Sequence, residues 1–404
     1  MESDKSYDVC IIGGNIAGSY LAYQLALDGL SVVVVEQNRI PGVPMQCAGI
    51  VSQRFTNIVD IDPSIIMNRV DTAWLISENG KKVSVSIKDN PYILDRIKLD
   101  HYFYQKAESL GVTYLLKEKF LDFKISSENS NEIVQIATKE RIITAQMIVG
   151  CDGPNSRVAK LHGVKHNLIP AMQIRIFYPQ PHNSVRMYFK QSWRNLFGWV
   201  IPEGNGICGI GLGCKYDLRN SFQQFLNDLN ITKSEIIEKF GGQILIGYPK
   251  KIAFHRAILL GDAAGMVKAT TGGGINTLLK ASKPAKKAIL DAFNRNDFSQ
   301  RFFITHYQHS NEIRRLKMNI LLHYFVRIIM LFLTQEEYEE SMLLLHQPQT
   351  RKLLLKYGDM DFPIKFILKM LVRVDLWRYI IRIIPSILKK IPRILREFLK
   401  LLRS

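Results

Sequence analysis

Two stretches far apart in the chain hold the residues best suited to chemistry. In Leu260-Gly261-Asp262-Ala263-Ala264-Gly265 a carboxylate closes the apolar run Ala257-Ile258-Leu259-Leu260, and Thr271-Gly272-Gly273-Gly274-Ile275 follows shortly after. A buried carboxylate can accept hydrogen bonds from a polyol. Glycines let a backbone approach a planar ring, with the free N–H groups of a starting helix facing negative charge. The pair reads as the flavin end of an FAD site, with Gly261, Asp262, Gly272, Gly273, Gly274 and Ile275 as contacts.

Its counterpart is Tyr7-Asp8-Val9-Cys10-Ile11-Ile12-Gly13-Gly14-Asn15-Ile16-Ala17-Gly18, an apolar strand running into a turn and then into the helical stretch Ser19 to Asp28. A second apolar strand, Ser31 to Val35, ends at Glu36, about 20 residues beyond the first glycine, where an acid accepts ribose hydroxyls. Gly13, Gly14, Asn15, Ala17 and Gly18 are therefore read as the dinucleotide turn, and Glu36 and Gln37 as the adenosine end. Asn15 stands where a glycine is usual. Asn tolerates a left-handed backbone next best after Gly, while its side chain crowds the approach of the pyrophosphate. Gly14 is expected to ease the turn and FAD still to bind.

The elements that must position these residues can be read around them. Met147-Ile148-Val149-Gly150-Cys151-Asp152-Gly153 is a third strand entering a turn, after which Asp152 either caps the short helix or sits near the pyrophosphate. Asp95 is a candidate N-cap for a helix running to about Leu110, and Arg96 either reaches the dinucleotide or is a surface arginine. Short alternating strands occupy Val70 to Ile93 and Asn167 to Lys250, among them Lys82 to Ile87 and Val185 to Phe189. The expected fold is α/β: a Rossmann-like FAD-binding domain with an inserted antiparallel sheet and a helical C-terminal region. Residues 1–69, 94–166 and 251–296 would form the FAD domain, 70–93 and 167–250 the substrate domain, and 297–404 a basic, amphipathic, membrane-associating region.

Composition narrows the class. A chain of 404 residues supports two or three domains, and five cysteines without a C-x-x-C pair argue against disulfides or zinc and for a reducing compartment. His306 and His309 lack a third ligand of suitable spacing, so no metal is expected. Met1 to Lys5 lacks an apolar signal segment, which predicts an intracellular protein. Of the net charge of +18, +10 lies in the last 54 residues, where it is interleaved with Ile, Leu, Phe and Trp, unlike a disordered nucleic-acid arm. Asn319 to Leu333, interrupted by His323 and Arg327, falls short of the roughly 20 apolar residues needed to span a bilayer. From Lys365 to Arg403 basic residues recur at helical intervals, which predicts helices lying in the interface on the cytoplasmic side of a membrane, broken at Pro385 and Pro392. The alternative is a tail packed on its own domain.

Taken in order, Gly13 to Gly18, Glu36, Asp95-Arg96, Asp152-Gly153 and Gly261-Asp262 resemble the FAD-dependent hydroxylase superfamily, and within it the geranylgeranyl reductase family, archaeal digeranylgeranylglycerophospholipid reductases especially. The narrower likeness rests on Pro41 to Ile50, similar to the family's G-x-P-x-x-C segment. It rests also on Phe197-Gly198-Trp199-Val200-Ile201-Pro202, similar to its Y-x-W-x-F-P motif, and on the G-D-A-A-G…T-G-G-G-I run from Gly261 to Ile275. Phe197, Ile201, Arg194 and Lys268-Ala269-Thr270 depart from the family pattern. The resemblance covers roughly Tyr7 to Ala292. It implies a reductase that uses reduced FAD to saturate prenyl double bonds. It places Cys47, with Ala48, beside the flavin, and Trp199 in a tunnel wall together with Tyr188 and Phe189. An isolated alkene needs a proton together with the hydride; a thiol enclosed by apolar groups keeps its proton, which makes Cys47 the candidate donor. A water polarised by the glycine-rich helix start is the other. No second nucleotide fingerprint identifies the electron donor, which could be a nicotinamide, a deazaflavin or a ferredoxin-like protein. An FAD monooxygenase and a flavin-less prenyl-lipid carrier remain open alternatives.

Overall fold

The computed structural model describes residues 6–86, 90–128, 131–193, 195–247 and 250–403, so Met1 to Lys5, Ile87 and Arg194 lie outside the described residues. The strands Ser6–Ile12, Val32–Glu36, Thr113–Leu116, Ile142–Gly150 and Ala257–Leu259 form a parallel core, in the order Ala257–Leu259, Ile142–Gly150, Ser6–Ile12, Val32–Glu36, Thr113–Leu116. Their near-continuous apolar runs suit a sheet covered on both faces. The hairpin Phe120–Glu128/Asn131–Thr138 pairs onto Ile142–Gly150, and Ala253–Phe254 onto Ala257–Leu259, all antiparallel. Register aligns Ile12 with both Val35 and Gly150, and Gly150 with Leu259. Gly13, Glu36, Cys151 and the Gly261-Asp262 turn therefore gather at the carboxyl edge, the crevice where such sheets bind ligands.

A seven-stranded sheet stands against this unit in the order Ile236–Leu245, Leu168–Phe177, Ile207–Gly213, Gly198–Gly204, Ser184–Phe189, Thr72–Ser77, Lys82–Ser86. Every ladder is antiparallel except that between Ser184–Phe189 and Thr72–Ser77, which come from separate segments of the chain and pair parallel. One face packs on the helix Leu218–Asp228 through Phe222, Phe225 and Leu226; the other faces a cavity. Tyr188 lies on the helix side, with its ring against Phe225, so it does not line the tunnel as expected; Phe189 packs against Phe197 and Tyr338 instead.

Helices close the chain: Asn311–Phe332, Gln335–His346, Pro348–Tyr357, Ile364–Leu371 and Val374–Arg403. The last runs through Pro385 and Pro392 without the predicted breaks. A helix-internal proline costs one hydrogen bond and a local bend, which a long helix docked along one side can absorb.

Candidate functional site

The dinucleotide turn is built by Gly13 at φ +102°, a conformation L side chains avoid; an added Cβ would also lie 2.5 Å from the Cys151 carbonyl oxygen. Asn15 is extended (φ −76°, ψ −174°), so the position demands no left-handed backbone, and Gly13 rather than Gly14 makes the turn. The Asn15 amide oxygen instead accepts from the Gly42 N–H (2.9 Å), which ties down the loop after the second strand. Glu36 is buried; its carboxylate accepts from the N–H groups of Gly14 and Asn38, both at 2.7 Å.

A cavity of about 750 Å³ runs from this turn to the glycine-rich helix start. Its lining includes Gly13, Asn15, Ala17, Glu36 and Gln37 from the first turn and second strand, Cys47, Arg96, Asp152 and Gly153 from the segments between, and Asp262, Gly272, Gly274 and Ile275 from the flavin-side stretches. Gly14, Gly18 and Gly261 lie behind that lining, while Ala48 and Gly273 face a second cavity. Arg96 is buried, not a surface residue, and pairs with Asp100 one helical turn on (3.1 Å). Asp100 was not legible as a site residue: its Oδ1 accepts from the Ile16 N–H (2.7 Å) and so caps the dinucleotide helix. Burial opposes the guanidinium charge, and Asp100 and Cys47 more than offset it, raising its pKa. Asp152 is spent on the short helix Arg157–Leu161, where its carboxylate accepts from the Ser156 hydroxyl and the N–H groups of Arg157 and Val158. Burial pushes Glu36, Asp100, Asp152 and Asp262 above the usual carboxylate range; Arg96 opposes it at Asp100 and Asp262.

These residues fit FAD. The Asp262 carboxylate faces the cavity and accepts no protein hydrogen bond among the described residues, which leaves it for a polyol chain. Arg96 Nε is buried there without a hydrogen-bond partner among the same residues, a donor that an anionic or carbonyl ligand would satisfy. The first N–H groups of the helix Ile275–Arg295 lie at the far end.

The second cavity, about 390 Å³ and mostly apolar, opens beside the first; Gln46, Cys47, Gly272 and Ile275 border both. Its wall is one row across the seven-stranded sheet, in which Phe240, Gln173, Gly211, Trp199 and Met187 share register. The Trp199 indole lies flat over Gly211, where an added Cβ would meet Cζ2 at 2.3 Å, and its Nε1 donates to Gln173 Oε1 (2.7 Å). Gly209, Gly211 and Gly213 alternate along one strand and leave room on this face for the side chains of Gln173, Trp199 and Leu196. That period-two spacing is visible in the sequence and was the missed signal. Cys47 is half-buried at the junction of the cavities, with Arg96 for a neighbour, so its surroundings are not purely apolar as the sequence suggested.

The C-terminal region completes the enclosure. Leu354, Gly358, Asp359 and Met360 line the apolar cavity, and Asp361 is locked behind them. Asp361 Oδ1 accepts from Lys268 Nζ (2.6 Å), and Oδ2 from Ser52 Oγ (2.5 Å) and Asn276 Nδ2 (2.7 Å). Lys268 also donates to the Met360 carbonyl (3.1 Å). Its side chain lies against Gly273 and its backbone N–H donates to the Gly273 carbonyl (3.0 Å). The Lys268 departure from the family pattern thus has a partner in the tail. His323 and Arg327, which seemed to interrupt an apolar stretch, point inward: His323 bonds Thr270 (2.7 Å), and Arg327 donates to the carbonyls of Ala269 and Asn195.

Fold and site together define an FAD-dependent oxidoreductase. Residues 8–60 match the family described as FAD dependent oxidoreductase. The chain is similar to the digeranylgeranylglycerophospholipid reductase of Methanococcus aeolicus, 25% identical over 320 residues, 74% of this chain and 81% of that one. It is 28% identical to digeranylgeranylglycerophospholipid reductase 2 of Methanothermobacter thermautotrophicus over 318 residues, 73% of this chain and 81% of the relative. Among solved structures, a geranylgeranyl bacteriochlorophyll reductase-like protein from Thermoplasma acidophilum superposes with a TM-score of 0.74 at 21% identity, covering 98% of this chain and 99% of that one.

Proposed function

We propose that this FAD-dependent enzyme saturates the C=C bonds of geranylgeranyl chains in membrane ether-lipid precursors. The observation that carries the reading is the junction: an apolar cavity meets the flavin end of the dinucleotide cavity at Cys47, Gly272 and Ile275. The digeranylgeranylglycerophospholipid reductases similar to it over three quarters of its length support the substrate class. Bound and reduced, FAD supplies the hydride equivalent. The chain does the rest: Trp199, Met187 and Phe240 offer apolar surface to a prenyl chain, and the segment 354–360 helps exclude water. Cys47, which lines both cavities, would hold on Sγ the proton that the neighbouring carbon takes, and Arg96 beside it would stabilise the sulfur left behind.

The test is the lipid profile of a bacterial host making unsaturated archaeal ether lipids, with and without this protein, by mass spectrometry. The expected result is a gain of the mass of H₂ for each bond reduced; unchanged lipids would overturn the reading. Oxygen uptake coupled to substrate oxidation would favour a monooxygenase. A colourless purified protein would favour a lipid carrier.

A further inference from the structure

The terminal helix Val374–Arg403 is fastened to the body along one side. Tyr379 Oη donates to the Glu337 carbonyl (2.9 Å), Lys390 Nζ to the Phe332 carbonyl (2.6 Å), and Ile394 packs with Leu321 and Phe332 on the cluster around the apolar cavity. Its other side carries Val374, Trp377, Ile381, Leu388, Ile391 and Leu395, all exposed, with Ile381 at 63% and Trp377 at 48%. They recur at intervals of three, four and seven residues, so they form one stripe along the helix. The preceding helix Ile364–Leu371 adds Leu368 and Leu371 to the exposed apolar surface, with Val372 just beyond it.

Basic residues run beside the stripe. Arg378, Arg382, Lys389, Arg393 and Arg396 are exposed, and the sequence gives this helix Asp375 and Glu397 as its acids. Asp375 is already bound by Arg373. An apolar stripe of this length bordered by positive charge matches the hydrocarbon boundary and the phosphates of an anionic bilayer together. No described helix is long and apolar enough to cross a membrane.

We infer that the outward face of the last two helices is a docking surface for an anionic lipid bilayer, which lies along the Val374–Arg403 stripe. It is joined to the cavity by a short span: Met360 lines the cavity, Asp361 is pinned to Lys268, and the first lipid-facing helix begins at Ile364. A bilayer bound here therefore sits next to the cavity wall formed by residues 354–360. Docking does not depend on the chemistry in the cavity, so vesicle binding succeeds or fails separately from the reductase reading.

The experiment is co-sedimentation of the full chain with phosphatidylcholine vesicles, with and without phosphatidylglycerol. The expected result is binding only to the anionic vesicles, weakened by salt, with a blue shift of tryptophan emission that Trp377→Phe abolishes. Removing basic charge with Arg378→Gln, Lys389→Gln, Arg393→Gln and Arg396→Gln should lower affinity about fivefold per residue. Ile381→Asp with Leu388→Asp should lower it at least about tenfold, and both positions are exposed, so the fold keeps its buried contacts. Three results would overturn the inference. One is no binding to phosphatidylglycerol vesicles at low salt, and another is full binding by the double aspartate variant. The third is a dimer that the double aspartate variant converts to monomer, which would mean that a second copy covers the stripe.

Discussion

Asp361→Asn is the sharpest test of how the tail is held. Asp361 and Lys268 side chains are 4% and 8% exposed and meet at 2.6 Å. The substitution keeps the shape but removes the negative charge, leaving a buried ammonium with the Met360 carbonyl as its remaining partner among the described residues. Removing one partner of a buried pair costs about 3–5 kcal/mol. Asn retains an acceptor for part of the Ser52 and Asn276 network, so about 3 kcal/mol is expected, a roughly hundredfold shift in the unfolding equilibrium. Urea denaturation followed by tryptophan fluorescence measures it. The double variant Lys268→Met with Asp361→Asn, which removes both charges and keeps an acceptor for Ser52 and Asn276, should return to within about 1 kcal/mol of the parent. The acid dependence has a definite sign. Lys268 and the Ser52 and Asn276 donors hold the Asp361 carboxyl well below its usual range against the opposing effect of burial. Its contribution is present above the unfolded value near 3.9 and is lost only as pH falls toward the lower folded value. A cost for Asp361→Asn below about 1 kcal/mol at neutral pH would refute the latch.

Further expectations follow from other parts of the site. Gly211→Ala places a Cβ 2.7 Å from Trp199 Nε1, so the indole must move and lose Gln173. A stability loss of about 1–3 kcal/mol, together with weaker binding of long prenyl chains by titration, checks this. Asp262→Ala removes a cavity-facing carboxylate and should weaken flavin retention by at least about tenfold, read from the absorbance of the purified protein; unchanged retention would exclude its contact with the polyol. Cys47→Ala should reduce the reductase rate by about a hundredfold or more if the thiol is the proton donor, and a full rate would exclude that role. Burial lowers the His323 pKa to about 4, so folded protein leaves it neutral while unfolded chain protonates it near 6.5. Stability should therefore rise with pH between about 4 and 6.5, by at most about 3 kcal/mol from this residue, and His323→Gln should flatten that slope in melting experiments.

What could be read from the sequence was whatever local geometry dictates. A parallel strand buried on both faces must be apolar throughout, a tight turn needs a residue such as Gly13, and a helix start beside bound anions needs free N–H groups. The dinucleotide turn, Glu36, the Asp262 turn and the helix opening at Ile275 thus announced themselves as contiguous patterns, and the basic apolar tail did so by its periodicity. Even the bare face under Trp199 was written there, as glycines at 209, 211 and 213. Tertiary structure decided what depends on residues far apart in the chain. It set Asp100 at the start of the first helix and Arg96 against Cys47, paired Lys268 with Asp361 across 93 positions, and brought two cavities together at Cys47. It also carried the last helix through two prolines, because contacts along its inner side outweigh the local cost of each. Spacing along the chain encodes backbone conformation and which face is apolar; which buried charge meets which partner is fixed only when separate segments pack and each must be compensated.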